Sequence, residues 1–419
     1  MEIWQLDNGL KVVAEPMAHL RSVAVGLWVA AGTIYETERE RGISHYIEHM
    51  LFKGTQRRSA RDLAIEMDAI GGNVNAFTSK ECTCYHARVV DDQLERALSM
   101  LTDMLLHAKL DPADMEREKG VVLEEISMTE DTPEDLVQDL LSEAYFGDHP
   151  LARPILGTAQ SVAAFSQQDV MGYMRRRYRP EHTVLAVAGH FDRERLLELA
   201  HRYLGDWQRG GDTASEPASS ARERRMVSKA KETEQTQLCI GLPGLCQQQE
   251  ELLYTQLVLN NVIGGGMSSR LFQRIREEKG MAYSVYSYPA TYLYDGVFML
   301  YAATNPANSA QVAEMMLEQL DLLRREGISQ EEFDAALEQM RGSYILGMES
   351  ANARMSAIGR GHLLLGRARG EDEVMASIAA VTKSGVMDLA ERLFVTDKLA
   401  LSVVGNAASI DQVGGQLGF

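Results

Sequence analysis

Ser22-Val23-Ala24-Val25-Gly26-Leu27-Trp28 is an apolar, strand-like run whose pattern returns at Thr236-Gln237-Leu238-Cys239-Ile240-Gly241-Leu242-Pro243. A second pair of segments repeats the relation, since Val187-Ala188-Gly189-His190 resembles Val403-Val404-Gly405-Asn406. Gly26 to Gly241 is an offset of 215 positions and Gly189 to Gly405 one of 216, so two independent anchors place the same unit twice. A repeat of about 200 residues is a usual domain size.

The same coarse order recurs within each half. Strands at 22 to 31 and 82 to 90 alternate with helical patterns at 59 to 70, 91 to 107 and 159 to 178, and the halves close on strands at 182 to 189 and 398 to 405. Ser59 and Asp62 form a capping signal, and Gly71 ends the helix they start. The fold class expected is α+β, two homologous domains that are each a mostly antiparallel sheet with helices packed on one face. The domains are read as 1–208 and 229–419. The segment 209–228, with Gly210-Gly211, Pro217 and Ala218-Ser219-Ser220-Ala221, is the linker.

The chain has 419 residues, 45% of them hydrophobic, enough to bury two cores. Its net charge of -18 has no basic stripe to offset it, which argues against nucleic acid as a partner. That charge suits basic peptides, or simply solubility. Cys82, Cys84, Cys239 and Cys246 follow no disulfide or structural zinc spacing, as expected for thiols in a reducing compartment. The amino terminus reads as strand, tight turn at Asp7-Asn8-Gly9, and strand, without a charged-then-apolar signal sequence. No apolar run approaches the roughly 20 residues that span a bilayer. The expectation is a soluble, cytoplasmic protein that makes no membrane contact.

His45-Tyr46-Ile47-Glu48-His49 lies in an apolar stretch ending in Met50-Leu51-Phe52. On a helix, His45 and His49 stand one turn apart on one face with Glu48 toward the same side. This is H-x-x-E-H, the inverse of H-E-x-x-H, a pattern that puts two imidazoles on a metal and a carboxylate beside it. The plain alternative is an amphipathic helix with two histidines on its polar edge. Catalytic zinc takes three protein ligands, so a third is needed. In Asp111 to Ile126, Asp111 caps and Pro112 opens a helix on which Glu118 and Glu125, seven apart, share a face. Val121 and Val122 lie between them, which suggests an inward face where an unpaired carboxylate would be costly.

Together these residues resemble the inverted zinc-motif peptidases, the family of pitrilysin, insulin-degrading enzyme and mitochondrial processing peptidase. His49 is followed by Glu125 after 76 positions. The resemblance continues through Gly71-Gly72-Asn73-Val74-Asn75-Ala76-Phe77-Thr78-Ser79-Lys80-Glu81, Glu130-Asp131-Thr132-Pro133, Gly264-Gly265-Gly266-Met267-Ser268-Ser269-Arg270-Leu271 and Arg276 to Tyr283. It covers essentially the whole chain and departs at no metal or catalytic position.

The resemblance implies one Zn²⁺ per chain on His45, His49 and Glu125, with Glu48 as catalytic base and Glu118 orienting a ligand histidine. It implies that Asn75, Ala76 and Phe77 lie on an edge strand to which an extended peptide adds, and that Arg276 and Tyr283 hold the substrate, Tyr283 also helping the oxyanion. The plain readings are an ordinary strand for 73 to 78, a solvated helix residue for Arg276 and sheet packing for Tyr283. The implied activity is a zinc-dependent endopeptidase acting on oligopeptides or unfolded, presequence-like segments in a closed chamber. A chain of this size resembles the half-length bacterial members, which implies a homodimer. The alternative is a catalytically silent homologue serving as a structural or partner subunit. Independently of the family, the 215 offset carries His45, Glu48 and His49 onto Asn260, Ile263 and Gly264, so only the first half can hold the metal.

Overall fold

The computed structural model describes residues 1–210 and 223–419, which form two compact units. The first half contributes β1 (Glu2–Gln5), β2 (Lys11–Pro16), β3 (Ser22–Val29), β4 (Asn73–Thr78), β5 (Thr83–Val90) and β6 (Thr183–Gly189). They make one sheet in the order β1-β2-β6-β3-β5-β4. The second half contributes β7 (Arg225–Ala230), β8 (Thr236–Pro243), β9 (Ala282–Thr291), β10 (Gly296–Thr304) and β11 (Ala400–Gly405), in the order β7-β11-β8-β10-β9. Without β1 the two orders coincide strand for strand. Neighbours are antiparallel except β2 with β6 and its counterpart β7 with β11. The expected α+β class, sheet and helices occurring twice, is the one observed.

The first half carries α1 (Ile43–Leu51), α2 (Ala60–Ala69), α3 (Leu94–His107), α4 (Pro112–Asp131), α5 (Pro133–Phe146), α6 (Ala159–Ala164), α7 (Gln167–Arg177) and α8 (Arg193–Leu204). The second carries α9 (Glu250–Ile263), α10 (Ser309–Glu326), α11 (Gln330–Gly347), α12 (Ala351–Leu364), α13 (Glu371–Ala379), α14 (Lys383–Leu393) and α15 (Ala407–Leu417). Ser59 accepts from the Asp62 amide and Asp62 reaches back to Ser59, the box expected at the start of α2, and Gly71 follows the helix with φ +68°. The single helix expected over 159 to 178 is two. The Ser166 side chain accepts from the Asp169 amide and begins α7 afresh.

Burial on both faces of β3 explains the packing. Val23, Val25 and Leu27 join Tyr85 and Ala87 in a core with Ile43, Ile47, Leu98, Leu101, Val122 and Leu196 from α1, α3, α4 and α8. Ala24 and Trp28 point to the opposite face, which would lie bare against water if helices covered one side alone. There they meet Cys84, Val184 and Ala186, covered by Ala351, Met355 and Ile358 of α12. Each such large side chain contributes about 1.5–3 kcal/mol on burial.

The compact units therefore do not follow the contiguous division 1–208 and 229–419. The first takes in Leu346–Gly370, with α12, while the second takes in Met128–Arg153, with α5. In the second unit α5 lies on β8 and β11, where Ser402 Oγ donates to the Val137 carbonyl at 2.7 Å and Tyr145 Oη donates to the Gly296 carbonyl at 2.8 Å. Each half gives the equivalent helix to the other half's sheet. Of the segment 209–228 read as a linker, residues 211–222 lie outside the described residues, and Arg225 already opens β7. No helix among the described residues is long and apolar enough to cross a membrane. The four cysteines are free thiols.

Candidate metal centre

Gly42, at φ +85°, turns the chain into α1. The buried Glu36 carboxylate caps that helix from outside, accepting from the Gly42 amide at 2.8 Å and the Ser44 amide at 3.0 Å. Ile43, Tyr46, Ile47, Met50 and Leu51 fill the core, so His45, Glu48 and His49 take the remaining face. Tyr46 Oη donates to the Met115 carbonyl at 2.8 Å and fixes α1 against α4.

α4 turns Met115, Glu118, Val122 and Ile126 inward. Val121, which the spacing placed on that face, is instead 45% exposed, because the inward stripe steps by three and four residues through Glu118 and Val122. His45 Nε2 lies 3.6 Å and His49 Nε2 3.4 Å from Glu125 Oε2. Among the described residues this is the group of three potential ligands whose donor atoms all fall within 4.8 Å of one another. Tetrahedral zinc with bonds near 2.0–2.1 Å would set ligand atoms about 3.3 Å apart, so the donor set and its spacing fit that ion.

The surroundings are asymmetric. His49 Nδ1 donates to Glu118 Oε1 at 2.8 Å, which leaves Nε2 as the lone-pair nitrogen facing Glu125. Glu118 is buried, and Lys53 Nζ holds its other oxygen at 2.7 Å. Burial would raise the Glu118 carboxyl, but the hydrogen bonds to His49 and Lys53 outweigh it and hold it below the usual range. Burial would lower His49, yet the Glu118 bond and the charges of Glu125, Glu118 and Glu48 keep it above its ordinary value. His45 has no such partner. Its Nδ1 is buried without a hydrogen bond, and burial together with the neighbouring His49 lowers its pKa to about 4. A histidine held neutral has its lone pair ready for a cation.

Thr78 Oγ1 donates to Glu48 Oε2 at 2.5 Å. Burial pushes the Glu48 carboxyl up, with the Thr78 bond and the His49 charge pulling the other way. Thr78 ends β4, an edge strand as expected. Alternation along β4 puts Val74, Ala76 and Thr78 on the α1 side and Asn73, Asn75 and Phe77 on the other. Val74 and Ala76 pack against the main core, whereas the Phe77 ring meets Trp28 edge-on at 5.5 Å. Sequence spacing gave no signal for Thr78, Lys53 or Glu36 beyond their places in the strand and the flanks of α1.

Arg276 and Tyr283 belong to the second unit, and the fold brings them together. Arg276 lies on a widened, π-type helical segment (Phe272–Glu278), its guanidinium 4.8 Å from the centre of the Tyr283 ring and 4.6 Å from that of Phe272. Tyr283 is 74% exposed, so it is not the sheet-packing residue that its tyrosine-rich strand suggested. In this unit Asn260 accepts from Ser287 Oγ at 2.8 Å and Gly264 ends α9, structural roles at the positions that correspond to His45 and His49.

The sequence profile described as Insulinase (Peptidase family M16) matches residues 11–159, and that described as Peptidase M16 inactive domain matches 164–340. A Bacillus subtilis protein, the uncharacterized zinc protease YmxG, is 43% identical over 96% of this chain and 98% of its own. The chain belongs to peptidase family M16. An uncharacterized zinc protease of Streptomyces coelicolor is 39% identical over 96% of this chain and 88% of its own length. Among solved structures, a protease from Helicobacter pylori superposes with a TM-score of 0.91 at 20% identity, covering 96% of this chain and 99% of that one. A peptidase M16 inactive domain from Pseudomonas fluorescens does so with a TM-score of 0.90 at 19% identity, covering 97% and 98%. At those identities the likeness is one of fold. Within the M16 chain, the insulinase match contains His45, Glu48, His49 and Glu125, while the inactive-domain match contains Arg276 and Tyr283.

Proposed function

We propose that this M16 chain is a zinc-dependent endopeptidase that hydrolyses oligopeptides or unfolded, presequence-like segments. The observation that carries the reading is the convergence of His45 Nε2, His49 Nε2 and Glu125 Oε2 beside a carboxylate, Glu48, that takes no part in the triangle. We assign these three ligands to one Zn²⁺ per chain, with Glu118 orienting His49. Bound there, zinc supplies Lewis acidity to water and to the scissile carbonyl. Glu48 accepts the proton of the attacking water and passes it to the departing amine. The Thr78 bond engages Oε2 and leaves Oε1 for that exchange.

An extended peptide adds to the free side of β4 through main-chain hydrogen bonds, with Asn75, Ala76 and Phe77 along the scissile region. Arg276 and Tyr283 hold the peptide, and the Tyr283 hydroxyl donates to the developing oxyanion. Two chains enclose the reaction in a homodimeric chamber that admits unfolded segments, and the protein works in the cytoplasm. The family resemblance supports this arrangement.

Metal analysis joined to a fluorogenic peptide assay tests the reading. Expected are one zinc ion per chain and hydrolysis that chelation abolishes. Glu48→Gln should keep zinc and lose hydrolysis, while His45→Ala or Glu125→Ala should release the metal. A zinc-loaded Glu48→Gln protein that still cleaves would remove the base assignment. A zinc-loaded native protein that cleaves nothing in a peptide library would favour the silent, partner-subunit reading.

A further inference from the structure

A cavity of about 790 Å³ opens in the first unit among the carboxyl-terminal ends of α3, α7 and α8. None of the residues lining it belongs to the metal centre. Part of its wall is apolar and aromatic, with Met174, Tyr203 and Trp207. The rest is basic, with Arg57, Arg175, Arg179, Arg202 and Arg209. The volume lies within the range of small-molecule sites.

Behind the wall the Glu181 carboxylate accepts from the Gly210 amide at 2.8 Å, but the arginines of the lining outnumber the nearby acids. Arg202 is engaged by Glu95 at 2.9 Å and Glu198 at 2.6 Å, and the buried Asp103 is taken by Arg58 at 2.6 Å. Among the described residues no carboxylate lies within ion-pair distance of Arg57, Arg175, Arg179 or Arg209, and Asp206 is the remaining acid of the lining. A positive excess thus gathers at one cavity of a chain whose net charge is -18. Arg175 lies in the last turn of α7, where a cation answers the helix dipole. Arg57, Arg179 and Arg209 lie outside the helices and have no such role.

Arg179 is fixed in the cavity wall by its backbone surroundings. Its Nε donates to the Arg175 carbonyl at 2.6 Å, while Nη1 is buried without a hydrogen-bond partner among the described residues. It rests against Gly210, where a Cβ would fall 1.6 Å from Nη1, so a side chain at that position would displace the guanidinium. Phosphate oxygens match its planar fork, and an aromatic wall beside it gives a flat ring something to stack on.

We infer that this cavity binds a mononucleotide-class ligand, its phosphate monoester among Arg175, Arg179 and Arg209 and its planar base against Trp207 and Tyr203. The site is independent of the peptidase reading and stands or falls without it. The test titrates the full chain, zinc in place, with adenosine monophosphate, adenosine and inorganic phosphate at physiological salt, reading calorimetric binding and tryptophan fluorescence. Expected are saturable binding of adenosine monophosphate and weaker binding of adenosine and of inorganic phosphate. The fluorescence response should be lost in Trp207→Phe. The exposed pair Arg175→Gln with Arg209→Gln should weaken binding roughly tenfold or more and leave zinc content unchanged. Absence of saturable binding, affinity intact in the double variant, or inorganic phosphate binding as tightly as the nucleotide would each overturn the inference.

Discussion

Among the described residues the Glu48 carboxylate takes one hydrogen bond, from Thr78 Oγ1 at 2.5 Å. Thr78→Val keeps the side-chain shape and removes the donor. The expected result is kcat lowered about tenfold with KM and zinc content unchanged, and Thr78→Ser should restore most of it. An unaltered kcat in the valine variant would show that Glu48 needs no such support. Glu118 stands between His49 and Lys53. Glu118→Gln should weaken zinc about 10–100-fold, read by competition with a metal-binding dye. The shared faces of His45 with His49 and of Glu118 with Glu125 were legible in the sequence because a helix turns spacings of four and seven into one face, and the family resemblance implied that the two faces meet. Thr78 was not, since its role depends on which face of β4 meets α1, and packing decides that. Arg276 and Tyr283 lie on a widened helical segment and the strand after it, where spacing alone predicts no contact.

At the scale of elements, Gly26 and Gly241 were visible in the sequence as anchors of the repeat, but not for what they do. Gly26 lies under α12, where a Cβ would stand 2.6 Å from Met355 Sδ, and Gly241 lies under α5, where it would stand 3.2 Å from Leu141 Cδ1. Each glycine lets a helix approach the same strand of its sheet. Gly26→Ala should destabilise the protein by about 1–3 kcal/mol through overpacking. Gly120, on the exposed side of α4 with nothing within 4 Å of its Cβ position, should behave oppositely. Gly120→Ala is expected to stabilise by about 0.5–1 kcal/mol. Denaturant unfolding at saturating zinc compares the two, and equal signs would contradict the packing account. The strands and the fold class were legible from periodicity and the repeat. The break between α6 and α7 was masked by continuous helical pattern across Phe165 and Ser166. The helix exchange had no local signal, because an apolar helix face does not record which of two similar sheets it covers.

For the whole molecule, the exchange makes the halves dependent. Produced alone, residues 1–210 would expose the apolar face of Val13, Ala24, Trp28 and Ala186 that α12 covers. That fragment should aggregate alone and become soluble when residues 223–419 are co-produced, as judged by co-purification and circular dichroism. A soluble, cooperatively unfolding 1–210 would refute the dependence. Two identical half-length chains that hand the same helix to each other make a domain-swapped pair. Joining such a pair end to end would yield this architecture, with His45 and His49 in one copy where its twin has Asn260 and Gly264. The exchange gives the second half a reason to persist, since deleting it would also strip the first half of a core helix.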